Sequence, residues 1–223
     1  MAKDAQSPKA AEAMEKLCHR YWPPIYAYIR RRGHGPDDAQ DLTQEFFARL
    51  LKKHHLNAAD ASKGKFRTLL LTAASRFLAD EWDRVRAKKR GGEVVHLSLQ
   101  AEEAEAGYRI DPADPATPET IFERRWAEAV LETVLTRLRE EFVASGQQER
   151  FASLKPFLAM EQGRLAGTDL SARLGVSESA AYSAVHRFRQ RYRELLREEI
   201  ANTVASPQEV DDELRCLARA LGR

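Results

Sequence analysis

The stretch from Asp37 to Lys53 constrains the fold of this chain more than any other. Leu42, Phe46, Phe47, Leu50 and Leu51 recur at i, i+4, i+5, i+8 and i+9, a spacing that an α-helix brings onto one buried face. Asp37, Asp38, Asp41, Gln44, Glu45 and Lys52 fall together on the other side, where they meet water or a partner. The same rhythm runs through most of the chain, and only Val94 to Leu99 alternates in the manner of a strand. The expected fold class is therefore all-α, with two small helical domains joined by an acidic flexible linker, the second carrying a helix-turn-helix.

The first module, residues 10–90, begins with a helix or helix pair from about Ala10 to Arg32, interrupted at Pro23-Pro24 and stopped by Gly33 and Gly35. A third helix starts near Phe66, buries Phe66, Leu69, Leu70, Ala73 and Phe77, and ends in basic residues before Gly91-Gly92. Residues 91–118 carry Glu93, Glu102, Glu103, Glu105, Asp111 and Asp114 against Arg109, with prolines near the end. Such a stretch reads as an acidic, extended linker. The second module, residues 119–200, opens with a long helix striped by Phe122, Trp126, Val130, Val134, Leu138 and Phe142. A shorter helix runs through Met160. Asp169 to Leu174, the turn Gly175-Val176-Ser177 and a helix from Glu178 to about Arg197 then follow in helix-turn-helix order. In the tail, residues 201–223, Ser206 is the expected N-cap and Glu209 completes a capping box. The tail stripe of Val210, Leu214, Leu217 and Leu221 is expected to pack on the second domain or on a partner.

Composition excludes several classes. Hydrophobic residues at 43% and charged residues at 31% give a folded core under a charged surface, while a net charge of +2 identifies no partner by itself. No apolar run approaches the roughly 20 residues that span a bilayer, so membrane insertion is not expected. Met1 to Lys9 lacks a signal-peptide core, and the expected location is cytoplasmic. Cys18 and Cys216 fit no ligand spacing, and the adjacent His54 and His55 point from different helix faces. No metal, cofactor or enzymatic centre is expected.

Three segments carry a resemblance. DDAQDLTQEFFARLL is similar to the core-polymerase-binding helix of bacterial sigma factors at Asp38, Asp41, Leu42, Gln44, Glu45 and Phe46. The resemblance implies that Asp38, Asp41, Gln44 and Glu45 dock on core RNA polymerase, and complementary charge would orient that docking. FRTLLLTAASRFLADEWDRVRAKKR resembles the promoter-melting and minus-ten-reading stretch at Phe66, Arg67, Leu70, Thr72, Ala74, Asp80 and Arg84. Arg76, Asp80, Trp82, Arg84, Arg86, Lys88, Lys89 and Arg90 are its implied minus-ten DNA-binding residues. An aromatic ring beside cations suits unpaired bases and phosphates. Arg76 stands where many members have Asn, so the family's base preference does not carry over there.

DLSARLGVSESAAYSAVHRFRQRYREL resembles the minus-thirty-five-reading domain at Leu170, Ala172, Leu174, Val176, Ser183, Val185, Arg187 and Arg189. The helical wheel sets Ser179, Tyr182, Ser183, His186, Arg187 and Gln190 on the DNA side, with Arg191 and Arg193 as phosphate contacts. Tyr182 and Ala184 occupy positions where basic residues are common. From about Ala11 to Ala201 the chain is thus similar to the extracytoplasmic-function (ECF) group of the sigma-seventy superfamily. The implied partners are core RNA polymerase and promoter DNA. An anti-sigma factor is common in the family, though nothing in this sequence demands one. Some members are thought to be controlled by threonine phosphorylation, but the wheel puts Thr43 with the apolar residues. A stand-alone dimeric helix-turn-helix regulator and a pure adaptor protein are the rival readings.

Overall fold

In a computed structural model, residues 8–52, 65–87, 115–159 and 167–222 are described, and every α-helical or 3-10 element among them is helical, with no strand. The α-helices are α1 (Pro8–Arg31), α2 (Pro36–Lys52), α3 (Phe66–Ala87), α4 (Pro118–Ala144), α5 (Gln148–Leu154), α6 (Gly167–Leu174), α7 (Glu178–Ala201) and α8 (Val210–Leu221). Short 3-10 turns occupy Lys155–Leu158 and Pro207–Glu209. The strand-like Val94 to Leu99 and the linker as far as Asp114 lie outside the described residues. None of the described helices is long and apolar enough to cross a membrane.

The chain divides into two compact units. One comprises Met1–Ala129 with Thr203–Arg223, the other Val130–Asn202. The division falls inside α4, and its cause is visible in one stripe. Phe122 and Trp126 are buried in the first unit, while Val130, Val134 and Leu138 are buried in the second. A single apolar face therefore serves two cores.

In the first unit α1 runs unbroken through Pro23-Pro24. An internal proline costs a helix roughly 3 kcal/mol, but burying one Ile recovers roughly 1.5 to 3 kcal/mol. Ile25, Tyr26, Tyr28 and Ile29 are all buried directly after the prolines, which is enough to keep the helix whole. Aromatic rings join the helices: Tyr21 meets Phe66 edge-on at 5.3 Å, Trp22 stacks on Phe47 at 5.7 Å, and Phe46 meets Phe77 at 5.7 Å. Burial pushes the Tyr21 phenol up to about 12. Thr43 is fully buried and its hydroxyl donates to the Ala39 carbonyl at 2.6 Å, so a kinase has no access to it in this fold. Two residues expected in the core are exposed, Leu51 and Leu69. The buried line on α3 is Arg67, Leu70, Ala74 and Phe77, and Leu69 lies one position off it.

The tail belongs to this first unit, which neither sequence expectation anticipated. Its buried line is Val210, Glu213, Leu217 and Ala220, while Leu214 is half-buried and Leu221 exposed. The cap also differs from expectation. Ser206 makes no side-chain cap bond, and the Glu209 carboxylate accepts instead from the Ala205 backbone N–H at 2.9 Å.

The core of the second unit gathers Val134 and Leu138 of α4, Phe151 and Leu154 of α5, Leu170 of α6 and the inner face of α7. Phe142, Phe151 and Phe188 meet edge-on in a triangle, at 5.9, 5.4 and 5.8 Å. Gly175 ends α6 at φ +64, with its N–H bonded to the Ala172 carbonyl and the Val176 N–H to the Ser171 carbonyl. That pair of bonds needs a left-handed residue, which glycine adopts without strain. Ser177 then caps α7 by accepting from the Ala180 N–H at 3.3 Å. Three residues thus turn α6 into α7.

Candidate nucleic-acid interface

On α2, Asp38 is exposed, and Asp41, Gln44 and Glu45 are half-buried. The helix places them opposite the buried Ala39, Thr43, Phe46, Phe47 and Leu50. Glu45 is already engaged. Its Oε1 accepts from Arg49 at 2.5 Å and from Arg84 of α3 at 3.3 Å. Arg49 and Arg84 also both bind Glu81, so two acids and two arginines alternate where α2 meets α3. The structure thereby brings a residue implied in polymerase binding against one implied in minus-ten binding.

The end of α3 presents Arg76, Asp80, Trp82 and Arg84 as exposed side chains. Trp82 is 63% exposed, which decides between a core and a surface tryptophan. Arg86 lies in α3 but its side chain is not described, and Lys88, Lys89 and Arg90 lie outside the described residues. Removing a surface ring costs little folding energy, within about 0.5 kcal/mol, whereas stacking on a base is worth roughly 1 to 3 kcal/mol. Trp82→Ala is therefore expected to leave the thermal melt nearly unchanged while weakening binding to a labelled single-stranded oligonucleotide about five-fold or more. A large loss of melting temperature without loss of binding would contradict the surface reading.

At the other end of α3 the sequence reading missed a buried charge cluster. Glu213 of α8 is fully buried; it accepts from Arg67 Nε at 2.5 Å and pairs with Lys65 Nζ at 2.8 Å. Arg67 also binds Glu123 at 2.9 Å and lies over the Trp126 ring at 4.9 Å. The signal was present in the sequence. A carboxylate between Val210 and Leu217 on the buried side of a helix needs a buried cation.

On α7, Ala181, Ala184, Val185 and Phe188 are buried, and Ser179, Tyr182, Ser183, His186, Arg187, Gln190 and Arg193 are exposed on other sides. Tyr182, Ser183, His186 and Arg187 line one shallow concavity. Arg191 behaves differently. It makes a two-bond pair with Glu141, at 2.6 and 2.9 Å, and also reaches Glu194 and Glu198. The Glu141 carboxylate raises the Arg191 pKa, and in return Arg191 holds the Glu141 carboxyl below its ordinary range. A phosphate would have to displace these carboxylates. Arg189 is likewise spent on structure, donating twice to the Phe157 carbonyl at 2.9 and 2.7 Å. Among the described residues no cluster of His, Cys, Asp and Glu could hold a metal ion.

Residues 17–90 match the family model described as Sigma-70 region 2. The match takes in most of α1, all of α2 and all of α3, about a third of the chain, and supports a member of the sigma-seventy family. Comparison with the curated proteins and with the solved structures gave no match.

Proposed function

We propose that this chain is a sigma factor of the extracytoplasmic-function group, which binds core RNA polymerase and directs it to specific promoters. The observation that carries the reading is the Sigma-70 region 2 match over three helices that hold an acidic and amide face on α2 and an exposed Trp82 and Arg84 on α3. In this reading Asp38, Asp41, Gln44 and Glu45 contact the polymerase, and the end of α3 holds the melted minus-ten strand. α6 and α7 act as a helix-turn-helix on the minus-thirty-five element, with Tyr182, Ser183, His186 and Arg187 toward the groove and Arg193 toward phosphate. Arginine can pair two bonds to guanine, which makes Arg187 the leading candidate for base discrimination. The protein works in the cytoplasm, where the polymerase is, and leaves catalysis to it.

The test follows from the geometry of α2. Glu45→Lys would set a third cation between Arg49 and Arg84, so Asp38→Lys with Asp41→Lys is the cleaner reversal. That double variant is expected to lose co-purification with core polymerase at least ten-fold. Asp38 lies in the first turn of α2 and Asp41 is half-buried, so the reversal should also cost about 1 to 2 kcal/mol of stability, against which the loss of binding is judged. Retained binding at wild-type level would contradict the assignment. Binding of a two-fold symmetric site by a dimer without polymerase would favour the stand-alone regulator.

A further inference from the structure

The first N–H groups of a helix have no partner within it, and each needs an acceptor from elsewhere. α3 begins after Lys65, whose carbonyl takes the Thr68 and Leu69 N–H groups at 3.0 and 3.2 Å, which makes Lys65 its N-cap residue. The Lys65 side chain cannot complete the cap, because an ammonium donates and never accepts. The missing acceptor comes from the tail. The Thr203 carbonyl takes the Phe66 N–H at 3.2 Å. The Glu213 carboxylate is held by Lys65 at 2.8 Å and by Arg67, the residues on either side of Phe66, and so brings negative charge to the positive end of the helix. Lys65 Nζ also donates to Cys216 Sγ at 3.6 Å. Bonds from the tail thus converge on three consecutive residues, 65–67.

The turn they fix opens the outward face of α3. At about 100° per residue, Thr68, Thr72, Ser75, Arg76 and Trp82 fall on one side of the helix, and all are exposed. A helix end without its cap frays, and Thr68 is the first residue of that face to be lost. α2 is attached by other contacts, Trp22 on Phe47 and Phe46 on Phe77. The tail therefore grips the face assigned above to the strand and leaves the face assigned to the polymerase alone.

We propose that Thr203 and Glu213 are positioning residues for nucleic-acid binding: the C-terminal tail caps α3 and holds its outward face in strand-binding form. Residues 203–223 belong to the first unit but lie outside the match at 17–90, so strand binding depends on a segment that the matched region does not contain. That a DNA strand is the ligand of this face rests on the sigma-factor reading; the cap itself rests on the bonds to residues 65–67.

The experiment separates the cap from the fold. The full chain and its variants are compared at a temperature where circular dichroism shows each one folded, reading the affinity for a labelled single-stranded oligodeoxynucleotide and co-purification with core polymerase. Glu213→Ala is expected to weaken strand binding about five-fold, the worth of one helix cap, and the milder Glu213→Gln about two-fold. Polymerase binding should be unchanged in both. Lys65→Ser gives α3 a side-chain acceptor of its own; added to Glu213→Ala, it should restore strand affinity to within about two-fold of wild type, although it removes a cation. A tail that only holds the fold would lower both kinds of binding together and would not respond to Lys65→Ser. That result overturns the capping, as does an unchanged strand affinity in Glu213→Ala. Failure of the parent reading looks different. A chain that ignores polymerase yet shows tail-dependent strand binding, rescued by Lys65→Ser, keeps the cap and loses the sigma-factor assignment, whereas one that binds neither loses both.

Discussion

Glu213→Ala is expected to destabilise the first unit by about 3 kcal/mol, the lower end of the range for breaking a buried ion pair. The cost arises from what remains. Arg67, with 9% of its side chain exposed, loses the carboxylate that takes two of its N–H groups, and Lys65 loses its partner too. Two contacts limit the damage, since Arg67 keeps Glu123 and the face of Trp126. Glu213→Gln retains the shape and one acceptor, so it should cost less. All three tryptophans, Trp22, Trp82 and Trp126, lie in the first unit, which makes tryptophan fluorescence its reporter. The denaturation midpoint followed by fluorescence should therefore fall in Glu213→Ala. Removal of the whole tail after Ser206 should lower it further, because Val210, Leu217 and Ala220 leave the core as well. An unchanged midpoint in both variants would show that α8 is not part of this unit's core.

Phe188→Ala should have an effect of similar size in the second unit, about 3 to 5 kcal/mol. Phe188 is 2% exposed and touches both Phe142 and Phe151 edge-on, so truncation removes its own burial and two ring contacts. No neighbouring helix can collapse easily into the gap, since the 3-10 turn that follows α5 is held by the Phe157 carbonyl bonds to Arg189, and α4 by the Arg191 pair with Glu141. The loss should appear first in the helical circular dichroism signal, with the fluorescence midpoint lagging behind. A shift of less than 1 kcal/mol, or a shift seen in fluorescence alone, would contradict this placement of the core.

What the sequence discloses about this fold follows the strength of its periodic signal. α2 and α7 are legible because polar and apolar residues divide cleanly around each wheel, and Gly175-Val176-Ser177 carries the turn chemistry that ends one helix and starts the next. The i, i+4 stripe of α4 is equally legible, but a stripe says that a face is buried and not against what. That is why the division of Phe122 and Trp126 from Val130 onward was hidden, and why the tail's destination was too. Pro23-Pro24 misleads for a related reason, since a local helix penalty carries no information about the burial around it. The candidate surfaces were half legible. The wheel finds exposed Arg187 but leaves Trp82 open between core and surface, and it cannot find that Arg191 is tied to Glu141 or Arg84 to Glu45, because those partners converge only in space.

The most direct measurement of the central claim is run-off transcription with purified core RNA polymerase, with and without this chain, on genomic fragments. The sigma-factor reading predicts defined new start sites that depend on the chain and disappear with the Asp38→Lys and Asp41→Lys double variant. Transcription from core polymerase that is indifferent to the chain, at any ratio of the two proteins, would contradict it.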